Sequence, residues 1–104
     1  MRLIDPLNPL ATEIQQEIAA TYFTGCRRMT ASLEALQAFD ADAPRELDDA
    51  QASRRADLLA EAAERVYYVV IQREALQMSS GRAFFAAYRV PDEVRLRMGP
   101  RRRK

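Results

Sequence analysis

The chain has 104 residues, 48% hydrophobic and 30% charged, which fits a single folded domain and excludes a long disordered polymer. A chain of this size buries only about two-thirds of its unfolded surface, so one isolated copy is expected to be marginally stable. The net charge of +1 is unevenly spread: residues 1–81 carry 8 basic and 13 acidic groups, and residues 82–104 carry 8 basic and 2 acidic.

The opening stretch MRLIDPLNPLATEIQQE lacks the continuous apolar segment of a secretory leader, because Asp5, Pro6, Asn8 and Pro9 interrupt it. Asn8 before Pro9 predicts a helix start: the Asn side chain accepts an orphan backbone N–H, and proline at the first helical position loses no bond. From there Leu10, Ile14, Ile18, Tyr22, Cys26, Met29, Leu33 and Leu36 recur at spacings of three and four, one face of a helix over about 9–39. Gly25 in its middle costs about 1 kcal/mol relative to Ala, and marks a close helix contact, a slight bend or plain tolerance.

FDADAPRELDD at 39–49, with Pro44 and clustered Asp, reads as the loop of a helical hairpin. A second helix over roughly 49–78 carries Leu59, Ala62, Ala63, Val66, Val70 and Arg73 on one face. Within it ERVYYVVIQRE has the composition of a strand. No other strand candidate pairs with it, so it is assigned to the central, most enclosed turns of that helix, apolar nearly all round. Arg73 continues the apolar face one turn beyond Val70, so its guanidinium needs a carboxylate or backbone partner; a structural clamp outweighs an anion site.

Ser79 and Ser80 predict an N-cap for a third helix over about 81–89. Val90–Pro91 is a boundary, because a residue before proline leaves the helical region. Pro91 begins a fourth helix over 91–98, closed by Gly99 and Pro100. Residues 1–99 are thus expected to form one helical domain, and 100–104 a disordered basic tail.

The absence of histidine removes the usual general base near neutral pH and every imidazole-dependent triad or metal site. Asp57, Glu61 and Glu64 share a face, but a solvated acidic surface near Arg54, Arg55 and Arg65 explains them better than a metal centre. The single cysteine, Cys26, forms no internal disulfide, sits on the apolar stripe and reads as a packed core thiol in a reducing compartment. No catalytic residue, cofactor or metal site is assigned. The longest strongly apolar run, 66–71, is far short of the roughly 20 residues that span a bilayer. No membrane partner and a cytoplasmic location are expected.

FFAAYRVPDEVRLRMG at 84–99 resembles a helix-turn-helix. With Val90 at the apolar turn position, Phe85, Arg89 and Arg95 stand where a DNA reader has a small residue, a glycine and an inward apolar residue. All three depart from that pattern. Arg95, Arg101, Arg102 and Arg103 remain candidate contacts for an anion or nucleic-acid backbone without sequence preference. A small-molecule pocket lined by Tyr67, Tyr68, Phe84 and Phe85 is weaker still; plain core explains them better.

Leu7, Asn8, Leu10 and Glu13, then Gln72, Arg73 and Glu74, then Tyr88, Val90, Pro91, Glu93, Val94, Arg97, Met98 and Gly99 form a dispersed pattern across most of the chain. It resembles a family of small helical proteins of alphaproteobacteria, a domain of unknown function, with LN-x-L-x-x-E, QRE and Y-x-[IV]-P-x-E-V-x-x-R-[LM]-G segments. The resemblance implies an architecture and no reaction. Gln77 stands where that pattern has glycine between the second and third helices.

The expected fold is all-α: a hairpin of two long antiparallel helices, with two short C-terminal helices folded back over one end. A helix of about 30 residues is about 45 Å long, longer than a compact domain of this size is wide. Two such helices cannot shield both apolar faces along their whole length. A homodimer is therefore expected, with Leu10, Ile14, Ile18, Tyr22, Val66 and Val70 on a surface shared with the second copy or a further protein partner. The favoured function is a noncatalytic interaction or scaffold protein; the alternative is a nucleic-acid-associated protein using the basic C-terminal quarter.

Overall fold

The computed structural model describes residues 9–98, so the Asn8 cap, the Gly99–Pro100 stop and the basic tail with Arg101, Arg102 and Arg103 lie outside the described residues. Four helices follow in order: α1 (Pro9–Asp42), α2 (Asp49–Ala75), α3 (Arg82–Ala87) and α4 (Asp92–Arg97). There is no strand among the described residues, and ERVYYVVIQRE lies wholly within α2.

The first two helices form the antiparallel hairpin. Its six-residue connection, 43–48, ends in a capping box: the Asp48 carboxylate accepts from Gln51 N at 2.8 Å, and the Gln51 side chain accepts from Asp48 N at 2.9 Å. Tyr22, Gly25, Cys26, Met29, Ser32 and Leu36 of α1 are buried, as are Leu58, Leu59, Ala62, Ala63, Val66 and Val69 of α2. Two adjacent alanines let the helices approach closely. Ser32 is tolerated there because its hydroxyl donates to Met29 O at 2.9 Å. At Gly25 a Cβ would lie 2.7 Å from Gln72 Oε1, so this glycine marks a close contact between the helices.

The Val66–Ile71 run is less enclosed than its composition implies. Val66 and Val69 are buried and Val70 is half-buried, but Tyr68 and Ile71 are 49% and 45% exposed. α1 covers one side of α2, the strap formed by α3 and α4 covers a second, and the rest faces solvent.

The chain after α2 also departs from its sequence reading. Ser79 and Ser80 do not cap α3; Gly81 is the N-cap and makes no side-chain cap bond. The Ser80 hydroxyl instead accepts from Arg73 Nε at 3.2 Å, and the Ser79 carbonyl from the same nitrogen at 2.8 Å. Pro91 is the N-cap of α4 rather than its first helical residue, with extended ψ of 151°. The two short helices do not gather over one end. Phe84 lies beside Arg73 near the C-terminal end of α2, while Glu93 reaches Arg55 near its N-terminal end, so the strap runs back along the hairpin.

Gln77 closes α2 in the left-handed region, φ 60°, where Cβ crowds the following carbonyl. Glycine avoids that clash. Gln77→Gly is expected to raise stability by about 0.5–1 kcal/mol, read as a higher urea midpoint at unchanged slope; a lower midpoint contradicts it.

Candidate interaction surface

α1 has 34 residues and α2 has 27, and this difference produces the most distinctive surface of the molecule. The buried residues of α1 begin only at Tyr22, opposite the last turn of α2, where Arg73 Nη1 donates to Tyr22 Oη at 2.8 Å. Residues 9–21 therefore extend about 20 Å past the end of the second helix. The molecule measures 59 × 26 × 25 Å, with a radius of gyration of 17.2 Å. A compact domain of about 100 residues has about 13 Å.

The apolar stripe of α1 continues into this extension without a break. Ile14 and Ile18 are 47% and 44% exposed, and Leu10, one turn earlier, is also exposed. Near the end of α2, Tyr68, Ile71, Leu76 and Met78 are exposed as well. Of the six residues expected on a shared surface, Leu10, Ile14 and Ile18 thus lie outside the core. Tyr22 and Val66 are buried against the chain's own helices, and Val70 packs half-buried against the same core. The spacing traces one apolar stripe along α1 but not the point where α2 stops covering it.

Two arginines tie the rest of the molecule together. Arg73 donates to the Ser79 carbonyl through Nε and Nη2, to Ser80 and to Tyr22, and its guanidinium lies 4.6 Å from the centroid of the buried Phe84 ring. Its donors serve a backbone carbonyl, a serine hydroxyl and a phenol, which makes it a clamp. Burial pushes the Tyr22 phenol up from its ordinary value, the neighbouring Cys26 adds to this, and the bond from Arg73 opposes it. Tyr88 is raised mainly by burial too, with Cys26 again contributing. Cys26 itself is buried in the core.

Arg55 is the second clamp, and its role was not legible in the sequence. Its Nε and Nη2 donate to the Asp40 carboxylate at 2.8 and 2.9 Å, and Nη1 and Nη2 to Glu93 at 2.8 and 2.9 Å. One guanidinium thus joins α1, α2 and α4 through two forked pairs. The bonds from Arg55 hold both carboxyls below their ordinary values, and together they raise the arginine. A cleft of about 600 Å³ lies beside this clamp, between α1 and the α3–α4 turn, with Leu33, Gln37, Tyr88 and Arg89 in its wall.

The helix-turn-helix reading meets a mixed geometry. Arg89 takes the left-handed conformation, φ 54°, that glycine supplies in such a turn. Val94, not Arg95, is the inward residue of α4. Arg95 pairs with Asp92 at 3.3 Å and stands 5.6 Å from the Phe85 ring centroid, so its charge is already engaged. Asp92 and Glu93 place carboxylates on the same six-residue helix, where a phosphate backbone is repelled.

Phe84 is buried under Arg73 whereas Tyr68 stands beside Gly25, so the aromatic residues considered for a ligand pocket do not share one wall. Asp57, Glu61 and Glu64 are exposed, and no group of three His, Cys, Asp or Glu side chains suited to a metal ion forms among the described residues. Among the described residues no helix is long and apolar enough to cross a membrane. No family model, curated protein or solved structure matches the chain.

Proposed function

We propose that this chain is a noncatalytic helical interaction or scaffold protein that acts as a homodimer. The observation that carries the reading is the extension of α1 beyond α2, where Ile14 and Ile18 continue the core stripe into solvent. Burying an isoleucine side chain fully is worth about 1.5–3 kcal/mol, and a second copy supplies the missing cover twice by symmetry. The polar clusters support a structural rather than a chemical role, since Arg73 and Arg55 spend their donors on holding helices together. A lone buried thiol suits the reducing cytoplasm. The nucleic-acid reading has less support, because Arg95 is held by Asp92 and Phe85.

Size-exclusion chromatography with light scattering is expected to give twice the chain mass of 11.8 kDa at micromolar concentration. Ile14→Asp with Ile18→Asp is expected to give a monomer of unchanged helicity, since neither residue belongs to the core of the hairpin. A wild-type monomer at 100 µM overturns the reading. Association that persists at 0.5 M salt fits an apolar contact, whereas steep loss of nucleic-acid binding over that range marks the alternative.

A further inference from the structure

Over residues 9–33 of α1 the charges are segregated, with Glu34, Asp40 and Asp42 following toward its C-terminal end. Between residues 9 and 21 the only charged side chains are Glu13 and Glu17, and between 22 and 33 they are Arg27 and Arg28. All four are exposed, and none has an ion-pair partner among the described residues. A helix turns about 100° per residue, so Glu17 and Arg28, eleven residues apart, point within about 20° of each other. Both border the stripe that carries Ile14 and Ile18.

Resting on the homodimer reading, we infer that the occupant of this face is the α1 helix of a second copy, lying antiparallel across a two-fold axis near Tyr22. Antiparallel apposition sets residues of the same edge against each other, so each Glu17 meets the partner's Arg28. Parallel apposition instead stacks like charges, which opposes association. Thr21, Thr24 and Ala35 flank Arg28 on that edge and are small enough for close approach. In that register Ile18 falls level with the partner's Arg27, two residues or about 3 Å from the partner's Gly25, beside which the half-exposed Tyr68 provides an apolar wall.

Charge reversal tests the register. E17R alone, or R28E alone, faces like charges twice per dimer and is expected to weaken association about tenfold in 50 mM salt. E17R/R28E is expected to return to within about threefold of wild type, and an equimolar mixture of the two single variants to form a heterodimer tighter than either homodimer. Circular dichroism checks that each variant keeps wild-type helicity. A wild-type dimer indifferent to the single reversals, or unrepaired by the double variant and the mixture, overturns this register and leaves the homodimer standing. A wild-type monomer at 100 µM removes both.

Discussion

Arg73→Ala is expected to lower the stability of the domain by about 2–3 kcal/mol, a large part of what a chain this short possesses. The substitution removes four bonds, from Arg73 to the Ser79 carbonyl twice, to Ser80 and to Tyr22, together with the cation's position over Phe84. The Ser79 carbonyl recovers some of its loss from water because that residue is exposed, but the Tyr22 hydroxyl sits at the edge of the core and loses its donor. Arg73→Lys keeps the charge without the planar fork and is expected to recover less than half of the loss. Tyr22→Phe isolates one bond and is expected to cost about 1 kcal/mol, and the double variant less than the two single losses combined. Urea unfolding followed by circular dichroism measures each. A midpoint for Arg73→Ala within error of wild type is incompatible with the clamp.

The Arg55 clamp is expected to contribute less near neutral pH, about 1–2 kcal/mol, because its carboxylate partners are half exposed and water screens the pairs. Its signature is the pH dependence. Asp40 and Glu93 are held below their ordinary values of 3.8 and 4.5 by the bonds from Arg55. A depressed carboxyl pKa stabilises the fold fully above the ordinary value. That contribution fades as pH falls through the folded value, because protonation there is linked to unfolding. Arg55→Met is expected to show its full deficit at pH 7 and a steadily shrinking one as the pH falls below the ordinary carboxyl values of 4.5 and 3.8. A deficit that stays constant over that range points to lost packing rather than lost charge pairing.

Periodicity conveyed the helices because each long one has a single apolar face repeating every three to four residues, as from Leu10 to Leu36. It did not convey that α2 stops opposite Tyr22, since that limit depends on α2 ending at Ala75 and on the reversal through Gln77, which are tertiary facts. Arg73 was legible because a charge on an apolar face demands a partner. Arg55 was not, because Asp40 and Glu93 lie 15 and 38 residues away and nothing local pairs them. The serines misled for a related reason: Ser80 has the chemistry of a cap, but a nearby guanidinium competed for its oxygen and prevailed. Arg89 shows the converse, a bulky residue in a glycine-like conformation imposed by the turn onto α4.

The short, capped connection at 43–48 also bears on how the molecule assembles. The Asp48–Gln51 box involves neighbours in the chain, so the second rod can begin winding as soon as its first turn exists, and collision with the first rod needs only a small closure. The latch that fastens the C-terminal strap, Arg55 to Glu93, joins residues 38 positions apart and requires the paired rods as its platform. On a ribosome the hairpin is therefore the earlier event, and the strap, emerging after it, seals a groove already in place.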